Sequence, residues 1–577
     1  QVYTVNIRSR LLRKITNHPT SILNYDATAD GREIAFVADP PEGGLHPQVN
    51  PGKEIVIAGQ TLTDILEGNT VPWEGRQVFL WREKTESSSP VSTGPEYSVS
   101  PATISLSPDG QYLLLPAHIR SLRSHREWIN YEIPNLQHIF AANFPEGYIS
   151  PVQQYLLVDT GTMSAVPLID APMIGVDPVS WAEDGKSVYL SSYLPLDAGA
   201  DIDRTTRVKD KCVVAVAIPS REYKRMTGPA PSKRVENPPA NVSVEEALNT
   251  PPKLYVTDRE HQKRKLLLDL NPQFEELDFG QVKLVEWTVH GVDLVGGLYL
   301  PSHYVPSKRY PVVIQTHGFS PSEFSMDGLL EWSSGYAARP LAARGIMVLQ
   351  VFAFKRRDDL EQIMSDRTLG DTAQESVRNF HELAYEGAID YLDREALIDR
   401  HRVGIVGFSR TVCFVGYTLT HSRFQFAAAS LVDGISCGYF EALAHPDEAD
   451  DVNYLNGGLS PFGYGLKLWM KNSPGFNLDK VQTPVRLVAL GANSVLAGWE
   501  WYAGLMLQKK PVDFVLIPGG VHIGVKVSQR MLTQQGLVDW FCYWLLGAED
   551  ADPLKHDQYS RWHGLSGGLP ALSCVRP

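Results

Sequence analysis

A serine and a histidine in the second half of the chain have the surroundings expected of a nucleophile and its base. Ser409 follows the apolar run VGIVGF (403–408), in the order strand, sharp turn and helix that exposes a nucleophilic serine. His522 lies just beyond the last apolar run, in IPGGVHIG. A serine hydroxyl is a weak nucleophile at neutral pH, so it needs a nearby base and a third group that orients the base. The pair therefore predicts acyl transfer through Ser409.

The turn around the serine departs from the usual G-x-S-x-G pattern. It reads GFSRT, and Thr411 stands where the second glycine is expected. Glycine at this position lets the helix and the strand pack closely, and threonine is small enough to be tolerated if the strand recedes slightly. The departure thus weakens the motif without removing its chemistry.

Acyl transfer also requires two donors that stabilise the oxyanion. One is expected to be the backbone N–H of Arg410, the residue after the nucleophile. The other is expected from the loop THGFSPSEF (316–324), either from His317 or from the backbone beside Gly318. A purely structural role for His317 is an equal alternative.

The acid that should orient His522 is difficult to assign. We expect it shortly after Gly491, but that place holds Ser494. The first carboxylate downstream is Glu500, and we predict that it is the orienting acid, because glutamate can serve as aspartate does. Three alternatives stay open: Glu500 is a surface residue at the start of a helix, the site is a Ser–His dyad, or the enzyme is impaired. Asp513, inside an apolar run, is a weaker candidate.

The second half of the chain has the pattern of an α/β fold. Apolar, strand-length runs alternate with helical segments such as 375–395 and 529–547. The runs are LVEWTVHGVDLVGGLYLP (284–301), PVVIQTHGF (311–319), GIMVLQVFAF (345–354), VGIVGF (403–408), VRLVALG (485–491) and VDFVLIPGG (512–520). This alternation is typical of a parallel sheet covered on both faces. With the serine turn, it predicts an α/β-hydrolase catalytic domain over residues 275–577.

The first half repeats one phrase. The segments 25–39, 104–118 and 179–193 each place Asp-Gly between two short runs rich in β-branched and aromatic residues. Asp-Gly is a strong signal for a tight hairpin, and its recurrence favours stacked blades. We therefore predict an N-terminal β-propeller over residues 10–270, with a β-sandwich as the alternative.

Composition excludes several classes of protein. A chain of 577 residues is too long for one core, so two or more domains are expected. The net charge of -13 argues against nucleic acid as a partner, and no apolar run is long enough to span a bilayer. The five cysteines lack C-x-x-C spacing, which argues against a disulfide framework and against a zinc site. The oligomeric state does not follow from the sequence. Nor does the compartment, which is either the bacterial cytoplasm or the periplasm.

The order of a propeller followed by this hydrolase pattern resembles the prolyl oligopeptidase family of serine peptidases. GFSRT, QTHGFSP, GANSVLAGWEWYAGL, PGGVHI and GLVDWFCYWLLG are similar to its lasso peptide isopeptidase branch. The resemblance implies hydrolysis of the isopeptide bond that closes the ring of a threaded lasso peptide, without a metal or an organic cofactor. Two other functions stay open. One is an oligopeptidase or acylaminoacyl-peptidase that cuts short linear peptides, and the other is a catalytically impaired, peptide-binding homologue.

Overall fold

The computed structural model describes residues 1–39, 76–100, 103–120, 122–141, 152–173, 179–196, 208–226, 228, 240–258, 263–324, 336–356, 358–446, 449–517, 522 and 527–566. The chain forms two compact units. The first holds most of residues 1–241, and the second holds residues 242–257 and 264–577. The second unit therefore begins before the boundary near residue 270 that the sequence suggested. No helix in the described part of the chain combines the length and apolar composition that a bilayer span requires.

The first unit is built from antiparallel sheets. Three of them have four or five strands each within the described residues, in the orders β3-β4-β5-β6, β11-β10-β9-β7 with β8 beside β9, and β12-β13-β14-β15, and β1 pairs with β2. The strands are β1 (Tyr3–Val5), β2 (Leu12–Lys14), β3 (Ile22–Ala27), β4 (Glu33–Ala38), β5 (Gln77–Arg82), β6 (Ser87–Pro90), β7 (Tyr97–Val99), β8 (Ser105–Leu106), β9 (Tyr112–Ile119), β10 (Gln153–Asp159), β11 (Ser164–Pro167), β12 (Val179–Trp181), β13 (Ser187–Ser192), β14 (Cys212–Ala217) and β15 (Tyr223–Arg225). A short helix, α1 (Pro134–Ala141), lies between β9 and β10.

The three Asp-Gly repeats form the hairpins predicted from the sequence. They join β3 to β4, β8 to β9 and β12 to β13, and each pair is antiparallel. Gly31, Gly110 and Gly185 have φ of 68°, 72° and 68°, a left-handed conformation that glycine adopts without strain. The repeated phrase thus encodes one local turn three times.

The second unit contains an eight-stranded sheet in the order β19-β20-β22-β21-β23-β24-β25-β26. β19 and β20 are antiparallel to their neighbours, and β21 to β26 are parallel to one another. The strands are β19 (Val282–Val289), β20 (Val292–Tyr299), β21 (Tyr310–Thr316), β22 (Met347–Phe354), β23 (Ile398–Phe408), β24 (Ala428–Val432), β25 (Val485–Ala489) and β26 (Val512–Leu516). A separate three-stranded sheet of β16 (Ala240–Ala247), β17 (Thr250–Asp258) and β18 (Arg264–Leu268) precedes it.

Helices connect the parallel strands and bury the sheet in two apolar clusters. They are α2 (Ala338–Ala343), α3 (Asp359–Ser365), α4 (Ala373–Arg394), α5 (Thr411–His421), α6 (Tyr439–Ala444), α7 (Ala449–Leu455), α8 (Leu466–Asn472), α9 (Ala492–Leu507), α10 (Val527–Phe541) and α11 (His556–Ser566). A π-helical turn, Cys542–Leu546, follows α10, and 3-10 turns span Leu122–Asn130, Pro272–Glu276, Gly463–Gly465, Pro474–Lys480 and Pro553–Lys555. The α/β arrangement predicted for the second half is confirmed.

Two differences from the predicted elements bear on the site. The short strand β24 (Ala428–Val432) was missed, since its sequence AASLV is rich in small residues. It is fully buried and pairs on both sides, with β23 and with β25. In addition, the segment after β25, predicted to be a loop carrying the acid, is helical from Ala492 onwards.

Candidate active site

Ser409 lies at the sharp turn between strand β23 and helix α5. Its φ is 56°, a left-handed conformation that is uncommon outside glycine and marks a turn held by its surroundings. The backbone N–H of Ser409 donates to the carbonyl oxygen of Val432, at the end of β24, over 3.2 Å. A side chain at Gly434 would meet the Ser409 carbonyl oxygen at 2.0 Å. The nucleophile turn is therefore packed directly on the segment that follows β24.

Thr411 stands where the second glycine was expected, and its hydroxyl forms hydrogen bonds with the turn. Its hydroxyl donates to the carbonyl oxygen of Phe408 over 2.8 Å and accepts from the Phe408 N–H over 3.0 Å. The hydroxyl of Thr316, at the end of β21, donates to Thr411 Oγ1 over 2.8 Å. These bonds close the turn through a side chain. The departure from the usual motif is thus compatible with a tight serine turn.

His522 connects the serine to a carboxylate. Its Nε2 lies 2.8 Å from Ser409 Oγ, and its Nδ1 lies 2.6 Å from Asp433 Oδ2. The imidazole also stacks on the Phe408 ring, with centroids 4.8 Å apart and planes inclined by 11°. The predicted contact between Ser409 and His522 is present. Hydrogen bonds at both ring nitrogens and stacking on Phe408 fix the orientation of the imidazole.

Asp433 is the carboxylate that the sequence analysis did not find. It is the residue immediately after β24, and its side chain is only 7% exposed. Oδ1 accepts a hydrogen bond from the Leu490 N–H over 2.9 Å, which leaves Oδ2 directed at His522. The Asp433 N–H donates to the carbonyl oxygen of Val488 over 2.8 Å. Neighbouring strand ends thus fix both the backbone and the carboxylate.

The structure corrects the predicted acid, Glu500. This residue lies in α9, and its carboxylate accepts from the Phe440 N–H over 3.3 Å, while Asp433 holds His522. Burial raises the pKa of Glu500, and the backbone hydrogen bonds it accepts oppose that shift. The physical reason is that no loop follows β25. Ser494 accepts from the N–H groups of Leu490 and Gly491 and so caps a helix that begins at once.

A weak signal for Asp433 was present in the sequence. The run FAAASLVDG (426–434) is apolar, has the length of a strand and ends in Asp-Gly, the dipeptide that marks turns elsewhere in the chain.

Asp513, the weaker candidate for the acid, has other partners. Its Oδ2 accepts from Trp562 Nε1 over 2.9 Å, and its Oδ1 accepts from Arg561 Nε over 3.4 Å.

The predicted oxyanion donors are only partly available. The Gly318 N–H donates to the Val351 carbonyl oxygen over 3.1 Å, so a donor from the backbone beside Gly318 has to be a neighbouring N–H. Arg410 occupies the N-cap position of α5, immediately before the first turn of the helix. His317 lies near the site, with its ring centroid 5.5 Å from that of Phe408. The backbone N–H of Arg410 and either His317 or the backbone beside Gly318 remain the predicted donors.

Three influences act on the pKa of the His317 imidazole. Desolvation by the surrounding chain is the largest and lowers the pKa, a hydrogen bond to its own backbone opposes that shift, and the nearby His522 ring lowers the pKa further. A neutral imidazole is thereby favoured beside the base. Such a ring can donate one hydrogen bond without adding a second positive charge.

The segment after Asp433 contains a feature that the sequence analysis argued against. Cys413 in α5 and Cys437 form a disulfide with their Cα atoms 5.4 Å apart. Cys212 and Cys542 are free thiols. The spacing of the cysteines argued against disulfides and so missed this one, because spacing along the chain does not report the contact between α5 and this segment.

Glu441, in α6, makes the stability of this segment depend on pH. Its carboxylate accepts from Ser436 Oγ over 3.0 Å and from the Cys437 N–H over 2.7 Å. Burial raises the pKa of Glu441 from its ordinary value of 4.5 to about 7, and the nearby Glu500 adds to the increase. The native state thus keeps this proton when the unfolded chain has already lost it.

We expect the free energy of unfolding to fall by about 1–3 kcal/mol as the pH rises from 5 to 8, as far as Glu441 contributes. The sign follows because the native state binds more protons than the unfolded state across this interval. Urea denaturation of Glu441→Gln at several pH values should show a flatter decline than the wild type. The exposed Glu361→Gln serves as control, and equal slopes for wild type and Glu441→Gln would contradict the assignment.

One cluster of possible metal ligands lies among the described residues of the first unit. Ligand atoms of His125, Glu127 and Asp170 all lie within 4.8 Å of one another. Asp170 also accepts a hydrogen bond from Trp128 Nε1 over 3.2 Å. Exposed acidic groups often cluster without an ion, so we assign no metal here.

The parallel sheet, the serine turn and the linkage of Ser409, His522 and Asp433 define an α/β-hydrolase of the serine type. No protein-family model matches the sequence. Over 310 residues the chain is 26% identical to lasso peptide isopeptidase AtxE2 of Asticcacaulis excentricus. The match covers 52% of this chain and 42% of AtxE2, so it spans less than half of that relative's length.

Solved structures share the fold across nearly the whole chain. The AtxE2 isopeptidase in its apo form has a TM-score of 0.57 at 16% identity, covering 94% of this chain and 84% of AtxE2. The acylaminoacyl peptidase of Pyrococcus horikoshii has a TM-score of 0.56 at 15% identity, covering 96% of this chain and 95% of that one. The resemblance to the lasso peptide isopeptidases is thus confirmed in sequence, and the fold is shared with AtxE2 and with an acylaminoacyl peptidase.

Proposed function

We propose that the protein is a serine isopeptidase that hydrolyses the macrolactam bond of a threaded lasso peptide and releases the linear peptide. The observation that carries the proposal is the hydrogen-bonded series Ser409–His522–Asp433. Such a series provides the activated serine that amide hydrolysis needs. The sequence similarity to lasso peptide isopeptidase AtxE2 supports the choice of substrate. A structure of an AtxE2 variant with Astexin3-dC4 bound also shares the fold, with a TM-score of 0.57.

In the proposed reaction, Ser409 Oγ attacks the carbonyl carbon of the amide between an Asp or Glu side chain and the N-terminal amine of the substrate. His522 Nε2 accepts the serine proton and then gives it to the leaving amine. Asp433 holds the Nδ1 proton and stabilises the imidazolium that forms during attack. Donors at Arg410 and in the His317 loop stabilise the oxyanion. Water then attacks the ester carbonyl, His522 takes its proton, and Ser409 is regenerated.

We also infer that the first unit, which holds most of residues 1–241, forms the β-propeller that the sequence predicts over residues 10–270, and that the second unit holds the catalytic domain predicted over 275–577. Successive sheets of this unit contact one another, which supports a radial arrangement of blades. The Leu106 N–H in the second sheet donates to Asp26 Oδ2 in the first over 2.8 Å. Trp181 Nε1 in the third sheet donates to Ser105 Oγ in the second over 3.1 Å.

Two other functions compete with this proposal. The shared fold with an acylaminoacyl peptidase favours hydrolysis of short linear peptides as the second candidate. A catalytically impaired, peptide-binding protein was suggested by the altered segment after β25. That suggestion loses its basis if Asp433 is the orienting acid, because the altered segment then has no catalytic duty.

Purified protein incubated with lasso peptides and with linear peptides of the same sequence tests the proposal. We expect the lasso peptide to gain the mass of one water and to become linear, and the linear peptides to stay intact. Cleavage of linear peptides alone would support the second candidate. A protein that binds lasso peptides but neither cuts them nor reacts with a fluorophosphonate would support the impaired homologue.

A further inference from the structure

The disulfide joins the two chain segments that carry the nucleophile and its acid. Cys413 lies four residues after Ser409, and Cys437 lies four residues after Asp433. The two segments already touch at Gly434, where an added side chain would meet the Ser409 carbonyl oxygen at 2.0 Å. The bond therefore closes a short, covalently linked unit around the Ser409–His522–Asp433 site.

The segment from Asp433 to Cys437 has a conformation that must be imposed from outside. Asp433 and Cys437 have φ of 43° and 55°, in the left-handed region that residues with a side chain rarely adopt. Noncovalent contacts fix Cys437: its carbonyl oxygen accepts from Asn456 Nδ2 over 3.1 Å and from Ser473 Oγ over 3.2 Å. Contacts of this kind fix the far end of the segment, and the disulfide couples that end to α5.

We propose that Cys413 and Cys437 are positioning residues whose disulfide fixes Asp433 relative to Ser409, so that efficient acyl transfer requires the oxidised form of the protein. The proposal rests on the hydrolase function proposed above. Forming the bond converts two thiols and an oxidant such as a disulfide exchange partner into one protein disulfide and two partner thiols. Disulfides of this kind form and persist in oxidising compartments, so maturation there is part of the proposal.

Both cysteines are 0% exposed, which determines how the bond should respond to a reductant. A thiolate must reach a sulfur atom in order to exchange with it. Dithiothreitol should therefore act slowly on the native protein and faster when mild denaturant opens the site. Loss of the bond should then proceed in parallel with loss of reactivity at Ser409, and reoxidation should restore both.

The test compares wild-type protein with Cys413→Ala/Cys437→Ala and with the control Cys212→Ala/Cys542→Ala. The readout is the rate at which a fluorophosphonate labels Ser409, which needs an activated serine and no knowledge of the peptide substrate. We expect the rate to fall about 10- to 100-fold in the first variant and to stay unchanged in the control. A structural role alone would lower the melting temperature. A positioning role would also remove the low-field proton NMR signal of the 2.6 Å His522–Asp433 hydrogen bond.

Peptide mapping of the oxidised wild type keeps the proposal testable if the first variant does not fold. It should yield one linked pair of tryptic peptides that contain Cys413 and Cys437. Free thiols at both positions in a fully reactive protein would overturn the proposal, as would a folded double variant that retains the wild-type rate and NMR signal. A wild type that is labelled but cuts no lasso peptide would refute the proposed function. The positioning role of the disulfide would still be supported. A fully oxidised wild type that is not labelled would refute both.

Discussion

Ser409→Ala is expected to abolish hydrolysis, with turnover falling by about 10³-fold or more. The hydroxyl forms the covalent bond to the acyl group, and the structure offers its oxygen to His522 Nε2 at 2.8 Å. The turn itself should keep its conformation, because alanine and serine both carry a Cβ and are similarly strained at a φ of 56°. The variant should therefore still bind the peptide substrate.

Turnover is measured by mass spectrometry, and binding by calorimetry with a lasso peptide that the wild type cuts. Ser494→Ala is the matched control, since that hydroxyl accepts from the Leu490 and Gly491 N–H groups at the start of α9, and the Leu490 N–H keeps Asp433 Oδ1 as its acceptor without it. The control should retain activity within about tenfold, because a lost cap mainly lowers stability. Substantial turnover by a properly folded Ser409→Ala protein would end the serine-hydrolase interpretation.

Asp433→Asn is expected to lower turnover by about 10²- to 10⁴-fold with little change in substrate affinity. The amide has nearly the size of the carboxylate, so the bond from the Leu490 N–H to Oδ1 can persist. It carries no negative charge and presents either an amide N–H or a neutral oxygen to His522 Nδ1. The negative charge is absent in every state of the variant, but only the transition state depends on it, because the imidazolium forms during attack.

Glu500→Gln is the comparison that separates the two acids. Its carboxylate accepts from the Phe440 N–H, whereas His522 Nδ1 is bonded to Asp433, so a neutral amide oxygen can replace it. We expect activity within about tenfold of the wild type. Steady-state kinetics on both variants show which of the two carboxylates orients His522. An inactive Glu500→Gln protein beside a fully active Asp433→Asn protein would show that the carboxylate nearest His522 in the structure is not the functional one.

Local patterns accounted for much of this protein. The Asp-Gly hairpins, the long apolar strands and the helices α4 and α10 each carry their signal within a few residues, because turn geometry and amphipathic periodicity are local properties. Ser409 and His522 were identified in the same way, since each follows a mostly apolar run, VGIVGF (403–408) and VDFVLIPGG (512–520) respectively. The bonding of Thr411 to Phe408 was not predictable, because it requires the coordinates of the turn.

The assignment of Asp433 shows where sequence reasoning ended. The linkage of Ser409, His522 and Asp433 joins residues separated by 24 to 113 positions, and a helix replaces the loop where the acid was expected.

The sequence by itself indicated the class of fold and the proposed nucleophile and base. Only the tertiary structure revealed the proposed acid and the disulfide. The physical reason is that β24 lies between β23 and β25, which brings Asp433 beside Ser409 and Cys437 beside Cys413. Strand order is set by packing across the whole sheet, and no short stretch of residues encodes it.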